Sequence, residues 1–185
     1  MLVEFTVCNY LSFKDAVTIS MKASSIKEFE ERNVVVQGKD RLLKSAVMFG
    51  ANSSGKSNLI KALGFMKQMV LKSDTKGSSD EIEVKPFLLA SGYDHLPSKF
   101  EVVMYVEGIR YRYGFELDRT HIHKEWLFSG LLKKEKALFE RNGEKIEMSG
   151  DFKEAKGLED RTKHNTLFLT TADVWNVKQA SPLHK

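Results

Sequence analysis

Residues 50–58 read GANSSGKSN, set between the apolar run Ala46–Phe49 (AVMF) and the helix-like stretch Leu59–Leu71 (LIKALGFMKQMVL). Gly50, Gly55, Lys56 and Ser57 fit the pattern G-x-x-x-x-G-K-[ST], which has physical meaning when a strand precedes it and a helix follows. A helix N-terminus leaves several backbone N–H groups unpaired and carries partial positive charge. A loop of small residues lets those donors close around a phosphate without side-chain obstruction. On this reading Gly50, Ala51, Asn52, Ser53, Ser54, Gly55, Lys56, Ser57 and Asn58 surround the phosphates of a nucleotide. Lys56 reaches the β and γ phosphates as a point charge and is the catalytic candidate, and the Ser57 hydroxyl ligates Mg²⁺. The plain alternative is a polar loop in which Ser57 only caps the helix.

The rest of the composition sets bounds. The chain has 185 residues, enough for one domain or a domain with a subdomain. Its 29 basic and 25 acidic side chains leave a net charge of +4, which permits an anionic partner without requiring one. Cys8 is the single cysteine, so no internal disulfide forms, and a cytoplasmic setting is expected. The start, MLVEFTVCNYLSF, lacks a basic segment and a long apolar core, so no secretory signal is read there. No apolar stretch approaches the length of a membrane span.

Val3, Phe5 and Val7 alternate with polar neighbours, as do Val17, Ile19 and Met21, predicting two half-buried strands joined by the turn NYLSFKD. Asn33–Gln37 (NVVVQ) is a short strand candidate. Ser45–Phe49 (SAVMF) is continuously apolar, which suits a strand buried on both faces in a parallel or mixed sheet. Leu59, Ile60, Leu63, Phe65, Met66, Met69 and Val70 recur at helical spacing, so a helix is expected over about 57–71. From Glu81 the pattern becomes antiparallel: KFEVVMYV and IRYRYGFEL meet at Glu107-Gly108, and KALFER and EKIEM flank Asn142-Gly143. Residues 166–177 suggest a last helix with Asn165 near its cap. The expected organisation is a nucleotide-binding core over 1–72, a linker over 73–80, an antiparallel β-subdomain over 81–150, and a polar linker opening a helical segment over 151–185. The fold class is therefore α/β, a P-loop NTPase with a mixed sheet around the glycine loop and its helix.

The loop and its surroundings, FGANSSGKSNLIKAL, resemble the nucleotide-binding loop of ATP-binding-cassette (ABC) ATPases of the RecF, SMC and OLD type. They are also similar to the AAA-type ATP/GTPases of bacterial abortive-infection, anti-phage systems. NYLSF near the start looks like the aromatic turn of those families. KPFLL, PSKFEVVMYVEGIRYRYGFELD, IHKEWLF and ALFERNGEKI resemble their antiparallel subdomain, and NTLFLTTADVWN the helical stretch after it. Ser53 stands where the families often have Gly or Ala. The resemblance implies ATP and Mg²⁺ as ligands, a homodimer formed through the complete ATPase head, and DNA or an effector protein as further partners. Their LSGG-like signature, their apolar strand ending in Asp-Glu and their switch histidine have no counterpart here. The chain is accordingly expected to be the N-terminal part of a head that binds nucleotide and hydrolyses it poorly alone.

Other candidates are weaker. Glu107 at a hairpin turn and Asp118 at a strand end are the acids nearest to the missing roles. His121 and His123 share a strand face and could form a metal pair, with no third histidine expected near them. Arg110 and Arg112, interleaved with Tyr111 and Tyr113, suit nucleic-acid contact or an ordinary half-buried strand. Related heads place residues equivalent to Phe13 and Lys14 near the adenine, and Gln179 is the only glutamine near the end of the chain for a metal-and-phosphate contact. Two rival functions stand: a small P-loop NTPase or kinase of another class, and a non-catalytic module whose nucleotide controls binding of DNA or a protein.

Overall fold

Phe5 and Val7 bury the inner face of strand β1, Leu2–Cys8, while an irregularity between Leu2 and Glu4 turns Val3 to the other face, and the partner strand β2, Val17–Ser20, runs antiparallel to β1. The computed structural model describes residues 1–131 and 134–183. On its other side β1 pairs with β5 (Ser98–Val106), so residues 1–72 and 81–150 share one sheet. β6 (Ile109–Leu117), β7 (Ile122–Ser129), β8 (Lys136–Asn142) and β9 (Lys145–Met148) complete it. Among the described residues the strand order is β2-β1-β5-β6-β7-β8-β9, and every pairing is antiparallel. A separate hairpin, β3 (Val34–Gln37) with β4 (Asp40–Leu43), follows the short helix α1 (Glu30–Asn33).

The turns follow their chemistry. Glu107 and Gly108, joining β5 to β6, have φ of 51° and 79°, the double left-handed conformation that matches the twist of a two-residue hairpin. The Asn142-Gly143 signal lands one residue later than its motif suggests. Asn142 still pairs with Lys145, and Gly143 with Glu144 makes the turn.

Helix α2 (Lys56–Lys72) buries Leu59, Ala62, Met66 and Met69 against the inner face of the sheet, where Phe5, Val7, Phe100 and Phe115 are fully covered. Three rings lock its middle in place: Phe65 lies 5.4 Å from Tyr10 and 5.0 Å from Phe100, and those two are 5.1 Å apart. The β3–β4 hairpin covers part of the outer face, with Leu42 in a small cluster with Val3, Val103 and Tyr105. On β6 the inward face is Tyr111, Tyr113, Phe115 and Leu117, whereas Ile109, next to the turn, is half exposed.

Two expectations need correction. Ser45–Phe49 is not a strand, and the sheet is not mixed. β1 is already paired on both sides, so the run finds no free edge next to it. Val47 is 74% and Phe49 91% exposed. The last helix, α3 (Phe168–Val174), is shorter than expected and is not capped by Asn165. The Asn165 amide instead donates to the carbonyls of Gly77 (2.8 Å) and Asp80 (3.0 Å). Glu125, reaching from β7, caps α3: its carboxylate accepts from Phe168 N (2.6 Å) and Leu169 N (3.0 Å), as a negative group at a helix start should. No helix among the described residues is long and apolar enough to cross a membrane.

Candidate functional site

The glycine loop begins where the exposed apolar run ends and closes on the first turn of α2. Gly55 precedes the helix with φ 91°, a conformation that glycine alone adopts at little cost. A Cβ on Gly50 would sit 2.9 Å from Ser54 Oγ, so a larger residue there would have to turn that hydroxyl aside. Ser53 also takes a left-handed backbone, φ 64°. Inside this bend the Lys56 ammonium donates to Gly50 O (2.8 Å), Ala51 O (2.7 Å) and Ser54 Oγ (3.2 Å). A single positive charge is thereby held among the oxygens of the loop. At the start of α2 the Gly55 carbonyl already accepts from Asn58 N (2.9 Å) and Leu59 N (3.1 Å), while Lys56 and Ser57 come too early in the helix to have a carbonyl one turn back.

The β1–β2 turn forms the second wall. Asn58 Nδ2 donates to Ser12 Oγ (2.9 Å), and a Cβ on Gly55 would come within 3.1 Å of that hydroxyl and 3.9 Å of the Phe13 ring. Phe13 is thus brought to the loop as expected. Lys14 is not, because its ammonium lies over the Tyr93 ring, 5.1 Å from the centroid. The turn is fixed from behind by Asn9. Its side-chain amide donates to Tyr93 O (2.9 Å) and Leu96 O (2.8 Å), its side-chain oxygen accepts from Phe87 N (3.0 Å), and its carbonyl accepts from the Ser98 hydroxyl (2.5 Å).

The loop brings together the Lys56 ammonium, the start of α2 and the Ser57 hydroxyl, a set of groups that a phosphate and Mg²⁺ would call on.

The remaining candidates lie elsewhere. Glu107 occupies the β5–β6 turn. Asp118 is engaged locally, accepting from Thr120 N, His121 N and the Thr120 hydroxyl, and meeting His123 Nε2 at 2.7 Å. Partial burial raises its affinity for a proton, but these donors outweigh it and hold the carboxyl well below the usual carboxylate range. His121 and His123 do gain a third histidine: His164, forty residues away in sequence, stacks on His121 at 4.7 Å between ring centroids. Even so, no group of His, Cys, Asp or Glu among the described residues is arranged to hold a metal, so the metal-pair reading fails. Gln179 sits in the C-terminal turns, its side-chain oxygen buried without a hydrogen bond.

Arg110 and Arg112 are tied to carboxylates. Arg110, only 2% exposed, meets Glu135 at 2.8 Å and Asp40 at 3.7 Å. Arg112 meets Glu135 at 2.9 Å and Glu101 at 3.3 Å. This pairing leaves little charge for a nucleic acid. Two residues the sequence did not flag matter more to the architecture. Glu125 is fully buried, accepts from Tyr113 OH (2.9 Å) and lies 4.0 Å from Arg141. Arg141 in turn donates to the carbonyls of Thr166 (2.7 Å) and Gly143 (2.8 Å). A glutamate in the inward register of β7, two residues from Leu127, was the available signal.

The helix launched from the glycine-lysine-serine loop packs on the sheet, and the family comparison assigns this part of the chain to an AAA-type domain. Residues 45–169 match the family described as "AAA domain, putative AbiEii toxin, Type IV TA system", and the chain belongs to this family of AAA-type ATPases related to abortive-infection systems. No curated protein matches the sequence.

Proposed function

We propose that the loop Gly50–Asn58 binds the triphosphate of ATP together with Mg²⁺, as the nucleotide-binding part of an ATPase module. The observation that carries this reading is the ammonium of Lys56, the first residue of α2, held by three loop oxygens. Those oxygens are modest partners for a full charge, and phosphate oxygens would be stronger ones. Gly50 and Gly55 keep the cradle open to close backbone approach. Lys56 and the first N–H groups of α2 neutralise the β and γ phosphates, and the Ser57 hydroxyl supplies one Mg²⁺ ligand. Ser12 and Asn58 set the loop against the β1–β2 turn, and Phe13 offers an apolar face to the base. The loop addresses phosphates, so selection between ATP and GTP depends on that turn. Residues 1–72 contribute the site, and the strands over 81–150 serve as the frame that α2 is packed on.

Calorimetric titration with Mg·ATP tests the reading. Lys56→Ala removes a charge-assisted contact of about 1.5–3 kcal/mol, and affinity should fall roughly ten- to a hundredfold. Equal affinities would refute the assignment. Ser57→Ala should leave binding of ATP in EDTA unchanged and reduce the gain that Mg²⁺ brings.

A further inference from the structure

Beyond the phosphate loop, α2 carries a second feature. Lys61, Gly64, Gln68 and Lys72 fall on one stripe of the helix at spacings of three to four residues. With Lys76, Lys85 and Glu83 on the facing segment, this stripe lines a groove of about 540 Å³. Its floor is aromatic, made by Tyr10 and Phe65. The charge is one-sided: four lysines against the single carboxylate of Glu83, and Lys76 already engages that glutamate at 3.8 Å. Lys61, Lys72 and Lys85 are exposed, and no ion pair holds them among the described residues. The chain as a whole is close to balanced, so this concentration is local.

Gly64 supplies the independent observation. A glycine in the middle of a helix weakens it relative to alanine. A Cβ added there meets nothing within 4 Å, so packing within the chain does not require it. Its effect is to bare the helix backbone midway along the basic stripe, where a ligand's own backbone can lie close.

We infer that this groove binds a single nucleic-acid strand through its phosphodiester backbone. All its cations are lysines, compact point charges suited to a row of phosphates rather than to the bidentate capture of carboxylates that arginine favours. From Lys61 to Lys72 the helix advances about 16 Å, the span of several consecutive phosphates. The groove lies between one helix and one extended segment, which admits one strand and not a duplex. The arginines of β6 are neutralised by Asp40, Glu101 and Glu135, so the strand-borne arginine surface gives way to this lysine groove.

The test is fluorescence anisotropy with a labelled oligo-dT of about 20 nucleotides at about 50 mM salt, without ATP. The triple variant Lys61→Glu/Lys72→Glu/Lys85→Glu should bind at least about tenfold more weakly, with the salt slope shallower by about 2. The control Lys136→Glu/Lys145→Glu/Lys153→Glu carries the same charge change around the β8–β9 end of the sheet and should lose far less. Equal loss in both triples would reduce the effect to net charge and overturn the proposal. So would tighter binding of the matching duplex, or poly-glutamate competing as well as unlabelled oligo-dT. Should the groove triple not fold, Gly64→Gln decides: it should melt higher than wild type yet bind the oligonucleotide several-fold more weakly, and unchanged binding refutes the groove. Lys56→Ala separates the two sites. It should lose ATP and keep the oligonucleotide, and loss of both would place the strand on the phosphate loop instead.

Discussion

The two ends of α2 are built on opposite principles. At its C-terminus the polar groups of Ser73 are bonded to the segment that enters α3. Ser73, 1% exposed, accepts from Leu167 N (3.1 Å) and pairs with the Thr170 hydroxyl (3.1 Å), and its carbonyl accepts from the Thr166 hydroxyl (3.1 Å). Thr170 also donates to Val70 O at 2.7 Å. At its N-terminus the polar groups are exposed, the loop before them leans on its own lysine, and the preceding apolar run is uncovered. Buried polar groups must be satisfied within the fold, because an unmet one costs about 1–3 kcal/mol. Groups kept at the surface escape that demand and remain available to a ligand. One end of the helix is therefore an anchor and the other a receptor.

The comparison predicts that damage at the anchored end shows up as lost stability and damage at the receptor end as lost binding. The largest stability effect belongs to Glu125. Glu125→Ala strands Arg141, Tyr113 OH and two N–H groups of α3 in the interior, and should destabilise by about 3–5 kcal/mol. Glu125→Gln, which keeps an acceptor, should cost clearly less in a denaturant titration. Parity of the two would mean that the site needs the charge and not the acceptor. Next comes Lys56→Ala, with its ten- to hundredfold loss of ATP affinity, which should leave the melting temperature near that of wild type. A large drop in melting temperature would erase the distinction between the two ends.

Asp118 gives a smaller effect that depends on pH. Its carboxyl is held below the usual range in the folded state, so its contribution is present above the unfolded value of about 3.9 and is lost as pH falls towards the folded one. Asp118→Asn should be less stable than wild type at neutral pH, and the gap should narrow below about pH 4. A constant gap would mean that the hydrogen bonds, not the charge, matter. The smallest effect is at Phe49. Its side chain is almost wholly in solvent, so Phe49→Ser should change stability by no more than about 0.5 kcal/mol. A cost of several kcal/mol would place the run in a packed strand after all.

Local periodicity made much of this fold readable. Alternation along β1, β5 and β6, the apolar stripe of α2 and the Glu107-Gly108 turn are properties of short segments, and each appears where the sequence puts it. The helix after Gly50–Asn58 was legible for the same reason, whereas the strand expected before the loop does not form. What could not be read depended on distant neighbours. Ser45–Phe49 has the composition of a buried strand, yet strand formation needs a free edge, and composition does not say whether one is available. Asn165 looked like a cap from position alone, whereas the cap of α3 comes from Glu125, forty-three residues before Phe168. His164 joins His121 only because β7 and the segment before α3 run together, as the Ile122 N to His164 O bond shows. Arg110 and Arg112 looked available until their carboxylates arrived from three other parts of the chain.

Asn9 has a consequence that belongs to time rather than energy. One side chain bonds to Tyr93, Leu96 and Phe87, so the β1–β2 turn and the segment leading into β5 cannot open separately. Leu11 N, bonded to Lys85 O at 2.8 Å, lies within the same unit. In deuterated water the amide protons of Leu11 and Phe87 should therefore leave together and late, at the rate of a shared opening. Those of Val47, Met48 and Phe49, a few residues before the same helix, should be gone almost at once. The turn that walls the glycine loop would then keep its protons long after the stretch of chain that leads into the loop has lost them.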